Sequence, residues 1–156
     1  MKRNSGFTLI ELVIVIIVLG ILAATAVPKF INLQDDAKIS AMKGVEAAVH
    51  SAANIVYSKA AIDGVETKKS GNKVVVSGSD VAVVYGYPEA TKVALDNVLE
   101  LTGFDVIDGA ASTAVITSTS DKANGDRCLS YTAPATSAAT YTVVNGTFTT
   151  PNTCSK

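Results

Sequence analysis

A chain of 156 residues has room for about one ordinary domain, and a composition of 48% apolar and only 17% charged residues excludes intrinsic disorder. Thirteen Lys and Arg against 14 Asp and Glu leave a net charge of −1, so the electrostatic footprint of a nucleic-acid-binding protein is missing. The apolar residues are unevenly spread: 17 of the 21 residues from Phe7 to Val27 are apolar.

The chain opens on a short basic segment, Met1-Lys2-Arg3-Asn4-Ser5-Gly6, and continues FTLIELVIVIIVLGILAATAV to Pro28, with Glu11 as the only formal charge in that run. At 1.5 Å per residue the run makes a helical rod of about 31 Å, enough to cross a bilayer core. Lys2 and Arg3 would hold its N-terminal end in the cytoplasm. Three ordinary readings compete: a cleaved secretory signal ending at Ala24-Thr25-Ala26, a plain single-span anchor, and a buried core helix, which so small a chain could hardly cover on all sides. Glu11 separates them. A carboxylate within an apolar helix costs on the order of 2.5–3.5 kcal/mol near the bilayer centre and less near the interface, so it is either a snorkelling end-of-span residue or a group that awaits a cation.

Pro28 has no N–H donor and clashes with the preceding turn, so the helix is expected to kink or break there, and Gly20 weakens the same segment. Beyond it, Met42, Val45, Val49, Ala52, Val56 and Ala60 recur at steps of three and four and define one apolar stripe, with Lys43, Glu46, His50 and Asn54 on the opposite face. The spacing predicts an amphipathic helix from about Lys29 to Ile62, closed by Asp63-Gly64 and packed on a sheet. Lys38, Lys43, Asp35, Asp36 and Glu46 could pair between subunits, although a charged helix face is more often simply solvated. His50, the single histidine, falls on the polar face and reads as solvated or subunit-facing.

From Gly64 to Gly78 runs a polar linker that ends in a strand candidate, Val74–Val76, and Val81–Tyr85 makes a second. Gly86-Tyr87-Pro88 breaks it, and Pro88 reads as the first residue of a short helix with Leu95, Val98 and Leu99 inward and a stop at Gly103. Residues 110–156 hold 17 Ser plus Thr and five charged residues, and Thr113–Thr119, Cys128–Thr132 and Ala139–Val144 read as antiparallel strands. Asn145-Gly146 is the strongest hairpin signal, placed between Tyr141–Val144 and Thr147–Thr150. The stretch Asp121–Asp126 offers oxygen ligands but lacks the spacing and glutamate of a calcium loop, and reads as a polar turn. Cys128 and Cys154, with 25 residues between them, show neither zinc nor thioredoxin spacing; a disulfide in an oxidising compartment is the better reading, worth about 3.5 kcal/mol by loop entropy.

Gly6-Phe7-Thr8-Leu9-Ile10-Glu11, behind a basic leader and ahead of an uninterrupted apolar run to Pro28, resembles the class III signal of type IV prepilins and pseudopilins. The resemblance implies cleavage after Gly6 by a prepilin peptidase on the cytoplasmic side, methylation of the new amino group on Phe7, and packing of the apolar helices into a filament core. In that family Glu11 is neutralised by the Phe7 amine of a neighbouring subunit, and the segment from Gly20 to Pro28 can loosen on entry into the filament. The Cys128–Cys154 pair resembles the disulfide-bounded region that closes type IVa pilin heads. Asn32-Leu-Gln-Asp-Asp36, Gly86-Tyr87-Pro88 and Cys128-Leu-Ser-Tyr131-Thr132 look most like the mannose-sensitive haemagglutinin pilins.

The fold class expected is α+β: a leader at 1–6, a hydrophobic helix at 7–27, an amphipathic helix at 28–62, and an antiparallel head at 63–156 with its disulfide-bounded region at 128–154. The function implied is that of a major structural subunit of a type IV pilus, inserted in the inner membrane and then displayed on the bacterial surface. Its partners would be identical subunits, the prepilin peptidase and N-methyltransferase, the inner-membrane assembly machinery, and a surface or glycan receptor. The alternatives are a type II secretion pseudopilin, whose head is often tied by calcium, and a minor pilin. A membrane-tethered enzyme finds no support in the sequence, which offers no GxSxG, HExxH or phosphate loop and no spacing that singles out a nucleophile with its base. No catalytic residue, metal ligand or cofactor is expected.

Overall fold

The computed structural model describes residues 7–119, 123–149 and 152–156. The chain divides between Lys38 and Ile39 into two units. Helix α1 (Leu9–Ile62) contributes to both.

In the first unit the helix carries an apolar surface on every side. Leu12, Val13, Ile14, Ile17, Leu19 and Ile21 are all exposed, and no strand lies among the described residues of this unit to cover them. The helix runs through Gly20 and Pro28 without interruption, so the proline lies inside α1 and does not end it. Loss of one N–H donor costs roughly 3 kcal/mol in a helix interior, and the flanking apolar residues of good helix propensity carry the turn across it.

In the second unit, α1 is amphipathic as its spacing predicts: Met42, Val45, Val49, Ala52, Val56 and Ala60 are all buried. The helix ends in a Schellman arrangement, with Val65 N donating to Ala60 O at 2.9 Å and Gly64 N to Ala61 O at 3.3 Å. Two antiparallel sheets follow. The first has order β1 (Asn72–Val76), β2 (Ser79–Val84), β3 (Tyr87–Pro88); the second has order β4 (Phe104–Asp108), β5 (Thr113–Ser118), β6 (Arg127–Thr132), β7 (Thr142–Thr149), β8 (Thr153–Ser155). β1 and β2 join through a two-residue turn, Ser77-Gly78, both at positive φ (50° and 84°), the conformation whose twist suits a tight hairpin.

One helical stripe therefore serves two sheets in sequence. Met42, Val45, Val49 and Ala52 pack with Ile116, Leu129 and Tyr131 of the five-stranded sheet, whereas Val56 and Ala60 pack with Val74, Val81 and Val83 of the three-stranded one. The short helix α2 (Lys92–Asp96) bridges them through adjacent residues, Ala94 in the second cluster and Leu95 in the first. The opposite face of the five-stranded sheet is also covered: Val115, Cys128 and Phe148 are buried there beside Cys154.

Three sequence expectations are corrected. Pro88 does not open a helix; it pairs with Val83 in edge strand β3, where a missing N–H is tolerated. The helix starts later, with Thr91 as its N-cap, Thr91 Oγ1 accepting from Ala94 N at 3.3 Å, and it stops at Asp96 instead of Gly103. Asn145-Gly146 is not a hairpin turn but the middle of β7, Asn145 opposite Leu129 and Gly146 opposite Cys128. Strands β4 and β8 complete the sheet at positions where the sequence reading placed none.

Candidate functional site

The N-terminal segment is organised around Glu11. Thr8 caps α1: its N–H and its hydroxyl both donate to Glu11 Oε2, at 2.8 and 2.7 Å, and Glu11 N approaches Thr8 Oγ1 at 3.4 Å. This reciprocal capping box follows from the Thr-x-x-Glu spacing, which satisfies free N–H groups in the first helical turn. Thr8 is thus a functional neighbour that sequence reasoning missed, although its signal was in plain view. Both Thr8 bonds fall on Oε2, and Oε1 accepts none from the described residues. Phe7, next in line, is 88% exposed. Gly6 and the basic leader lie outside the described residues, as do Asp121 and Lys122 of the expected polar turn.

Gly20 sits on open helix surface, with nothing within 4 Å of where a Cβ would stand. Between it and Pro28, Thr25 Oγ1 donates to Leu22 O at 2.9 Å, a hydroxyl-to-carbonyl bond of the kind that competes with the helical ladder. Over its N-terminal part α1 is long and apolar enough to cross a membrane.

The second unit brings Cys128 and Cys154 into a disulfide, their Cα atoms 5.9 Å apart. The bond fastens β8 at the sheet edge to β6, and it lies against Gly146 of β7. A Cβ at Gly146 would collide with Ser155 O and stand 3.2 Å from Cys154 Sγ. Gly146 is needed for close approach of strands, since it is not among the glycines at positive φ.

An aromatic seam joins the helix to both sheets. Tyr57 stacks on Tyr87 with ring centroids 4.8 Å apart, Tyr87 meets Tyr141 at 5.1 Å, and Tyr141 meets the buried Tyr131 at 5.6 Å. Tyr131 Oη donates to Pro88 O at 2.8 Å, which ties β3 to β6. Burial pushes the Tyr131 phenol well above its ordinary value, and the neighbouring Tyr141 and Tyr87 push the same way; burial raises Tyr87 and Tyr141 too. His50 is exposed, as its place on the polar face implies, and its Nδ1 lies 2.6 Å from Tyr141 Oη. These tyrosines are far apart in sequence, so no local pattern could have announced the seam.

A cleft of about 670 Å³ opens between the sheets, lined by Lys69, Tyr85, Glu89, Asp108, Ser112 and Thr132 around a floor that includes Ala133 and Pro134. Tyr85, Ala111 and Ser112 hold positive φ at its rim (49°, 53° and 56°), a costly conformation for residues with a Cβ. The lining combines hydroxyls, side chains of both charges and apolar groups. Among the described residues no cluster of His, Cys, Asp and Glu is arranged to hold a metal ion.

Comparison with known proteins points to the N-terminal segment. Residues 1–27 match the family described as the prokaryotic N-terminal methylation motif. The chain is 54% identical over 50 residues to the type IV narrow pilus major component PilA5 of Thermus thermophilus, which is 32% of this chain and 43% of that protein. It is 47% identical over 57 residues to the type IV major pilin protein PilA of Myxococcus xanthus, 36% of this chain and 26% of that one. It is also 49% identical over 43 residues to the type II secretion system core protein G of Pseudomonas aeruginosa, 28% of this chain and 30% of that one. The match therefore spans less than half the length of each of these relatives. No solved structure matches the chain.

Proposed function

We propose that this chain, which carries the type IV prepilin methylation motif and is homologous to type IV pilins, is the major structural subunit of a type IV pilus. It enters the inner membrane through residues 7–27 with its N-terminus cytoplasmic. A prepilin peptidase cleaves after Gly6, and a methyl group is added to the Phe7 nitrogen, which stays cationic. The assembly machinery then draws the helix from lipid into a homopolymer. The observation that carries this reading is the coincidence, in one segment, of the methylation motif with a helix that is apolar on all sides and exposed, interrupted only by Glu11.

Glu11 is the register device of that assembly. In the separate subunit Thr8 satisfies one carboxylate oxygen, and the other remains for the Phe7 amine of a neighbour. An incoming subunit whose amine fails to meet it buries an uncompensated charge, which costs about 3–5 kcal/mol. The disulfide-closed head would face outward and provide attachment, with the cleft beside Glu89 and Ser112 taking an uncharged polar receptor group such as a glycan.

A second reading, a pseudopilin of a type II secretion system, is favoured by the similarity to core protein G. Mass measurement on sheared surface filaments separates the two. The pilus reading expects this chain in the filaments, beginning at methylated Phe7 and two hydrogens lighter than the reduced form. A mature chain beginning at Val27 would overturn both readings in favour of a secreted protein. Glu11→Ala is expected to leave insertion and leader cleavage intact and to impair assembly; normal filament yield would remove Glu11 from the mechanism.

A further inference from the structure

We infer that successive subunits are joined by a lateral lock in which Leu33 and Asp36 of one copy seat in a notch formed by Ile39, Met42, Lys43, Arg127, Asn145 and Gly146 of another. The inference rests on the polymer reading above and names the surfaces through which the polymer grows.

The notch is a hollow of about 130 Å³ where α1 passes over β6 and β7. Its apolar side chains are those of Ile39 and Met42. Its rim carries two exposed cations, Lys43 and Arg127, neither of which has an ion-pair partner among the described residues. Glu46, one turn beyond Lys43 on α1, is already engaged: its Oε2 accepts from Asn145 Nδ2 at 2.7 Å, and its Oε1 lies 4.0 Å from His50 Nε2. The hollow thus asks for a ligand with a branched apolar tip beside a free carboxylate.

The chain itself displays such a ligand. Leu33 is 64% exposed, and Asp36 is exposed with no ion-pair partner among the described residues. At i and i+3 they stand on one face of α1, about one turn apart. A leucine side chain is of the size of the hollow, and Asp36 beside it would fall between two cations. In the lock the donor residues of each copy meet the notch of the next one along, so the contact runs in one direction and is heterologous. Such contacts do not close into a pair but propagate into rings or helical filaments, which is the outcome a pilus requires.

Three full-length variants test the lock in a host that carries the assembly machinery: Asp36→Lys, the pair Lys43→Glu with Arg127→Glu, and all three changes together. Filament yield is read per folded, membrane-held subunit, scored by intact disulfide, so that a folding loss is divided out. Like charges forced together cost several kcal/mol, so each one-sided variant is expected to lose at least about tenfold in yield. The combined variant restores opposite charge across the contact and is expected to recover most of that loss. One-sided variants that assemble normally, or a combined variant no better than its parents, overturn the lock while leaving the pilus reading in place. A wild-type chain found in no filament overturns the pilus reading itself, and the lock with it.

Discussion

Replacing Gly146 by alanine puts a methyl group where the last strand already lies. The new Cβ would collide with Ser155 O and come within 2.7 Å of the Ser155 carbonyl carbon, and neither backbone atom can rotate away as a flexible side-chain tip could. β8 is held on both sides, by its pairing with β7 and by the disulfide to Cys128. Overpacking costs about 1–3 kcal/mol, and a rigid neighbour places this case in the upper half. Alanine regains about 0.5–1 kcal/mol that glycine loses to chain entropy, which leaves a net loss of about 1–2.5 kcal/mol. Urea unfolding of the full-length chain in detergent micelles, followed by near-ultraviolet circular dichroism of the tyrosines, reads this as a lower midpoint at unchanged slope. A cycle with Cys128→Ala and Cys154→Ala sharpens it: without the disulfide β8 can lift away, so the alanine penalty is expected to fall by more than half. If Gly146→Ala is neutral, or if its cost is the same in both backgrounds, the close-approach argument is wrong.

Tyr131→Phe leaves Pro88 O without its donor and is expected to cost about 1–3 kcal/mol near neutral pH by the same unfolding assay. Because burial raises the Tyr131 phenol above its unfolded value of 10.0, its contribution is complete below pH 10 and is lost as pH rises beyond it, by up to about 1.4 kcal/mol per pH unit. An absorbance titration should therefore show Tyr131 ionising only as the chain unfolds; all five tyrosines titrating reversibly near pH 10 in the folded protein would refute the packing. Thr8→Ala removes the cap of α1 and should cost about 1 kcal/mol, read as faster hydrogen exchange in the first helical turn, with Thr8→Ser retaining protection. Glu89→Ala is expected to abolish attachment of filaments to their target surface at unchanged filament yield; unaltered attachment would exclude the cleft as the receptor site.

The helical stripe was legible because its period is a local property: each of the six residues spaced at three and four is buried. The strands β1, β2 and β5 were legible for a similar reason, since runs such as Thr113–Ser118 are mostly β-branched, and β6 was legible from Cys128, Leu129 and Tyr131 beside Thr132. Asn145-Gly146 was misread because turn chemistry and close strand approach both select glycine, and only the partner strand distinguishes them. Phe104–Asp108 escaped because its alternation is interrupted by two aspartates, one of which, Asp105, answers Lys92 at 2.7 Å. Pro88 obeyed a rule for helix starts but sits at a sheet edge, where another rule admits it equally well. Around the N-terminus, Glu11 stood out as a lone charge, whereas Thr8 was passed over as an ordinary polar residue.

The two portions of α1 share one secondary structure and differ in what they leave unsatisfied. From Ile39 onward the stripe is narrow, and one helix face against two sheets buries all of it. From Leu9 to Val27 the apolar residues surround the helix, and no single sheet could cover a cylinder. Extended apolar surface of that kind needs lipid or other helices on every side. Lipid accepts any apolar sequence and imposes no register, so it offers no partner to the Glu11 oxygen that the Thr8 cap leaves open. Under the proposed function and the lateral lock, the open oxygen of Glu11 and the exposed Asp36 each meet a cation only when another copy of the same chain brings it. Under the proposed function, the unit that is stable with all its groups satisfied is therefore the polymer, and the separate subunit holds its place in the membrane until neighbours complete it.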